Sequence, residues 1–122
     1  LNGVTLSGDL TFPTSAYAYF TGGTTFTGTN ATLGSSSGIY WQQAGTLTGK
    51  TITQGSGSFL YVTGTNNALT LAPTTSVTGD VSVYTDGSTG TAITNQGTLT
   101  HSVSSGQVYA RTFTNSGTIL AN

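Results

Sequence analysis

"AITNQGTLT", residues 92–100, comes back as "TFTNSGTIL", residues 112–120. In each copy a short run of alternating β-branched or apolar residues is followed by a turn-forming string, "TNQG" or "TNSG", and then by a second run. Asparagine and glycine tolerate positive φ, so the string reads as a corner joining two strands. Self-similarity at a fixed period is the signature of a solenoid or propeller, and the question is whether it extends outward from this pair.

Three interleaved series extend it. The first is "VTL" at Val4, "ATL" at Ala31, "TIT" at Thr51, "SVT" at Ser76, "TLT" at Thr98 and "TIL" at Thr118, with central residues Thr5, Thr32, Ile52, Val77, Leu99 and Ile119. The second is "TFT" at Thr25, "TLT" at Thr46, "ALTL" at Ala68, "AIT" at Ala92 and "TFT" at Thr112. The third carries the aromatics: "DLTF" at Asp9, "GIYW" at Gly38, "SFLYV" at Ser58, "DVSVY" at Asp80 and "QVYA" at Gln107. No stretch has a convincing helical period, and "AYAYF", Ala16 to Phe20, is left without a counterpart, as a loop or extra strand of the first coil. Three strand series at a period of about 23 predict a single all-β domain over residues 1–122, a three-faced parallel β-solenoid of about five coils, each stacked about 4.8 Å above the last. The alternative is an antiparallel β-sandwich, since turn signals every 8 to 12 residues or so also suit that fold.

Composition fits an architecture that needs few inward side chains. The chain has 28 threonines and 18 glycines among 122 residues, five charged side chains (Asp9, Lys50, Asp80, Asp86, Arg111), and no cysteine, methionine or glutamate. Leu, Ile, Val and Phe together number 26. Net charge is −1, which leaves no electrostatic footprint for nucleic acid and no basic patch for anionic lipid. No apolar run reaches the roughly 18 residues that span a bilayer, so membrane insertion is not expected. Without an initiating Met or a signal-like start, the chain reads as a mature or excised segment. The absence of cysteine removes disulfides and thiolate metal sites as supports for a thin core.

"TNQGTLT" and "TNSGTILAN" resemble the repeats of secreted bacterial β-helix surface proteins of the filamentous-haemagglutinin and autotransporter-passenger type, in which Asn and Gly mark corners and a Thr-Ile-Leu strand follows. The resemblance is clearest over residues 91–122. It implies a secreted, extracellular or cell-surface protein, an adhesin or structural fibre of matrix or biofilm, with no catalytic centre.

Candidate chemistry is sparse. "AGTLTGKT", Ala44 to Thr51, fits the loosest phosphate-loop signature, but such a loop needs a helix after its lysine, and "TITQGSGSFLYVTG" is rich in residues that favour strands. Lys50 is therefore expected at a corner, pointing to solvent. His101 lies in "TLTHSVSSG", which contains no nucleophile elbow. Asp9 and Asp80 share the contexts "SGDLTF" and "TGDVSV" and are expected at one repeated turn, three coils or about 14 Å apart, too far for a carboxylate pair. No acidic calcium loop appears, so no enzyme, metal or cofactor is expected. Tyr17, Tyr19, Tyr40, Trp41, Tyr61, Tyr84 and Tyr109 are read as core residues or a packed ladder of tyrosines. Tyr40 and Trp41, on opposite sides of one strand, are the candidate glycan contacts. Repeated "TxT" strands on a flat face suggest ice binding as an alternative function, and "NAT" at Asn30 is a glycosylation sequon.

The main functional expectation concerns the ends. A solenoid exposes unpaired strand edges at both ends unless a cap covers them, and neither terminus carries a candidate cap. "NGVTL" and "SGTILAN" belong to the same series, so start and finish are expected at one angular position, where a copy could continue the ladder as a filament. Leu1, Val4, Leu6, Leu10, Phe113, Ile119 and Leu120 would line the junctions. The expected partner is the protein itself, with glycans or a cell surface as further candidates.

Overall fold

In a computed structural model describing residues 1–103 and 106–122, the chain winds into a three-faced parallel β-solenoid of about five turns. One face stacks β2 (Leu10–Phe12), β5 (Asn30–Leu33), β8 (Thr51–Gln54), β11 (Ser76–Gly79), β14 (Thr98–His101) and β17 (Thr118–Ala121). The next stacks β3 (Tyr17–Thr21), β6 (Gly38–Gln42), β9 (Phe59–Val62), β12 (Ser82–Thr85) and β15 (Gln107–Tyr109). The third is divided between a two-strand ladder, β1 (Thr5–Leu6) with β4 (Thr25–Phe26), and a four-strand ladder of β7 (Ala44–Leu47), β10 (Ala68–Leu71), β13 (Ala92–Asn95) and β16 (Thr112–Asn115). All the strand pairings are parallel, which removes the antiparallel sandwich.

Alternation along each strand sends one side chain in and the next out. Ala31, Ile52, Val77 and Leu99 therefore form one interior column, and Ile39, Leu60 and Val83 another; all are buried. Removing such a side chain from water is worth about 1.5–3 kcal/mol, and the repeated winding lets one or two per strand suffice. This is how a chain so poor in large apolar residues closes a core.

The register corrects three readings of the first coil. "VTL" at Val4 lies on the divided face, where Thr5 pairs with Thr25, and not with the series of Ile52. "DLTF" takes its place: Leu10 pairs with Ala31, so the inward residues of that series are Leu10 and Ala31, and Thr32 points out. "AYAYF" is no leftover. It is β3, the first rung of the aromatic face, paired from Tyr17↔Gly38 to Thr21↔Gln42. Start and finish therefore lie on different faces, contrary to the shared angular position expected. An end coil has a neighbour on one side only, so its strands are free to be short and irregular.

The corner in the opening stretch also works differently from expectation. Neither Asn95 nor Gly97 has positive φ, whereas Asn66, Gly87 and Gly90 in the other turns do. Gly97 is needed for close approach: a Cβ there would lie 2.1 Å from the carbonyl oxygen of Thr75, and one on Gly117 2.1 Å from that of Gly97. Asn95 points inward, fully buried, and its Nδ2 donates to Asn115 Oδ1 at 2.7 Å.

Candidate functional site

Because β3, β6, β9, β12 and β15 stack in register, the outward tyrosines fall into a single column: Tyr19, Tyr40, Tyr61, Tyr84 and Tyr109, one per coil. Ring centroids are 4.5 Å apart between Tyr19 and Tyr40, 5.7 Å to Tyr61, 4.6 Å to Tyr84 and 6.1 Å to Tyr109. Beside the column, Tyr17 stacks on Phe59 across Gly38, where a Cβ would strike the Phe59 ring. Burial against neighbouring rings, helped by the proximity of other phenols, raises the ionisation of Tyr40 and Tyr84 above the usual phenol range; for Tyr61 burial dominates, with Asp86 adding. The packed tyrosine ladder expected from the sequence is thus present, but on the outer surface.

Trp41, read as a candidate glycan contact, is in the core. It is 3% exposed, its indole N–H donates to the Ala68 carbonyl at 3.1 Å, and no ring face is open to a sugar. Tyr40 does face outward, but its ring lies between Tyr19 and Tyr61, nearly parallel to the former at 9°. Stacking within the ladder occupies ring faces that a sugar would otherwise cover.

The face of β2 to β17 carries hydroxyls. Thr11, Thr32, Thr53, Thr78 and Thr100 form one outward column, with Leu120 at its end, and Asn30, Thr51, Ser76, Thr98 and Thr118 form the other. The divided face is mixed, with a column of Thr46, Thr70, Thr94 and Thr114 beside one of Ala44, Ala68, Ala92 and Thr112.

Lys50 does not point to solvent as expected. It is half-buried where the divided face breaks between β4 and β7, its Nζ donating to the carbonyls of Phe26 (2.9 Å) and Gly28 (2.6 Å). Gln43 spans the other half of the break. Its Oε1 accepts from the N–H groups of Gly23 and Thr24, and its Nε2 donates to the Thr24 carbonyl, so the carboxamide stands in for a peptide group of the missing ladder. Gln54 does the same for Ser82 at another corner. Residue type alone did not distinguish these buried glutamines from exposed ones; a polar residue at an inward position of the repeat is the signal that could have.

The remaining ionisable groups are structural in placement. Asp9 precedes a strand of the threonine face and Asp80 follows one, so they do not occupy one repeated turn. Asp9 accepts from the side chain and main chain of Asn30, which holds its pKa below the usual carboxylate range. Asp80 accepts from Gly57 N–H at 2.7 Å. Asp86 is partly desolvated, and hydrogen bonds from Gly64 and Ser88 outweigh that and lower it too. His101 Nδ1 accepts from Val81 N–H at 3.2 Å. The sequon residue Asn30 is exposed, its amide nitrogen donating to Asp9 Oδ2. Among the described residues no three His, Asp, Glu or Cys side chains converge as metal ligands, and no pocket opens on the surface.

At the ends, β1 and β2 pair on one side only, as do β15, β16 and β17, while β3 pairs with β6 and is bridged on its other side only at Thr21, by Asn2. Leu6 and Leu10 lie half-buried at the first end and Phe113 at the last, with Phe12, Ala18, Val108 and Ala110, which the sequence reading missed. Leu1, Val4, Ile119 and Leu120 are exposed, but Leu120 points outward into the threonine column. The fold and its surfaces define a parallel β-solenoid rod with three chemically distinct faces. No family model matches the chain, and neither the curated proteins nor the solved structures hold a significant match to it.

Proposed function

We propose that the protein is a non-catalytic, extracellular structural or adhesive element that associates end to end with its own kind into a surface or matrix filament. The observation that carries this reading is the state of the two ends. Both present parallel strand edges around a rim of apolar side chains, Leu6, Leu10 and Phe12 at one end and Val108 and Phe113 at the other, and at the first end only Thr21 of β3 is covered, by Leu1 to Gly3. Such edges are templates for further pairing. With a net charge of −1, little long-range repulsion opposes the approach of a second copy.

The geometry of the join is specific. Seating β1 of one copy over β16 of another, and β2 over β17, continues two faces. The tyrosine face has five strands against six on the threonine face, and the slot between β15 and the incoming β3 is filled only at its Thr21 end, where Asn2 bridges Thr21. Electron microscopy and sedimentation of the purified protein test the reading. Rods lengthening with concentration are expected, and Phe113→Lys and Leu10→Lys should each keep the protein monomeric. Dispersed monomers of the unaltered chain at high concentration would reject it.

A further inference from the structure

From the threonine face we infer a second activity, independent of self-association: adsorption to the surface of ice. The two outward columns of β5, β8, β11 and β14 place Asn30, Thr51, Ser76 and Thr98 beside Thr32, Thr53, Thr78 and Thr100. Neighbours within a column are separated by the strand spacing of about 4.8 Å, and the two columns by two residues along a strand, about 6.7 Å. A two-dimensional grid of hydroxyls and methyls at such spacings lies close to the repeat of oxygen atoms on crystal faces of ice.

Three observations make the grid more than the ordinary use of threonine on a β surface. None of its Thr or Ser hydroxyls hydrogen-bonds within the protein among the described residues, whereas the corner threonines Thr21, Thr24, Thr75 and Thr91 all donate to main-chain carbonyls. The grid's hydroxyls are thus left to water, while the Asn30 amide is held by Asp9 and Thr29. No Asp, Lys or Arg lies within the four strands: Lys50 lies just before Thr51 but turns away to Phe26 and Gly28, His101, just after Thr100, is occupied by Val81 N–H, and the Asp9 carboxylate meets the grid only at its Asn30 corner. Behind each rung a fully buried residue, Ala31, Ile52, Val77 or Leu99, fixes the strand from inside. β-Branched threonine is stiff at χ1, so the array is ordered before any ligand arrives. A crystalline ligand rewards such preorganisation, because no side-chain freedom is surrendered on contact.

The experiment is partitioning of the purified protein into slowly growing ice, together with thermal hysteresis and crystal shape. The unaltered protein is expected to enter the ice and to facet crystals. Thr53→Lys and Thr78→Tyr, both at outward positions, should lose that behaviour while keeping the unaltered melting temperature and β spectrum, whereas Thr70→Lys on the divided face should retain it. Exclusion of the unaltered protein from ice would overturn the inference, as would equal binding by Thr53→Lys or equal loss in Thr70→Lys. Since every arm is read on dispersed protein as well as on any filament, failure here leaves end-to-end association untouched, and the converse holds.

Discussion

Lys50 holds its ammonium 4.3 Å above the ring of Phe26 while hydrogen-bonding that residue's own carbonyl, one coil earlier in the chain. The contact closes a break in the backbone ladder with a side chain. Lys50→Met keeps the aliphatic stem but removes the donors to two carbonyls, and a charged hydrogen bond is worth about 1.5–3 kcal/mol. Since Lys50 is only half-buried, a loss of about 2 kcal/mol is expected in urea denaturation. A melting temperature indifferent to ATP but lowered in Lys50→Met would confirm that the lysine serves the fold.

Gln43 offers a sharper comparison. Gln43→Leu leaves the N–H of Gly23 and the carbonyl of Thr24 without their partner, while the N–H of Thr24 keeps its bond to the Thr21 carbonyl. A buried unsatisfied group costs about 1–3 kcal/mol, so this variant should be destabilised by at least as much as Lys50→Met. Hydrogen exchange should locate the damage in the first two coils, with amides of β10 to β14 unaffected.

The corner glycines separate two kinds of constraint. A methyl on Gly97 would run into the Thr75 carbonyl at 2.1 Å, whereas one on Gly49 meets nothing within 4 Å and suffers only from φ of +64°. Overpacking of this sort costs about 3 kcal/mol, against about 1–2 kcal/mol for a left-handed non-glycine residue. Gly97→Ala is expected to melt at a lower temperature than Gly49→Ala; the reverse order would show that the Thr75 carbonyl gives way to a methyl at the corner.

Stability should fall at both extremes of pH, for different groups. Asp9 and Asp86 ionise below 3.8 in the folded chain, so the stabilisation their hydrogen bonds provide is present above the unfolded carboxylate value and lost as pH falls through the lowered one. The effect is small, since both groups are largely exposed to solvent. Tyr40, Tyr61 and Tyr84 ionise above 10, so their contribution is complete below the unfolded phenol value and lost as pH rises through the raised one. Phenolate absorbance should therefore show these three titrating above the ordinary phenol value, together with unfolding. Ionisation of Tyr40, Tyr61 and Tyr84 at the ordinary phenol value in the folded protein would contradict the packed ladder.

Legibility of the fold in the sequence followed the number of neighbours each strand has. The strands at Thr51, Ser76 and Thr98, each between two others, were assignable to one face because Ile52, Val77 and Leu99 repeat an inward apolar residue at each turn. The first coil misled because β1 is two residues long and "DLTF" carries an aromatic without belonging to the aromatic face. Trp41 and Tyr40 are adjacent and equally aromatic; only the in-register partner Phe20 tells that the indole points in. Outward columns emerge only when the registers of all coils are fixed at once. The threonine grid was therefore visible in the sequence only as repeated "TxT" strands.

Parallel pairing throughout has a further consequence. With every strand of a face running the same way, the rod has a head and a tail, and in an assembly that continues the parallel ladder across its joints all subunits point in one direction. Growth at the tip ending in β1 to β3 then need not match growth at the tip ending in β15 to β17. A molecule spoiled at only one tip would still dock by the other, halting extension there as a chain terminator at substoichiometric dose.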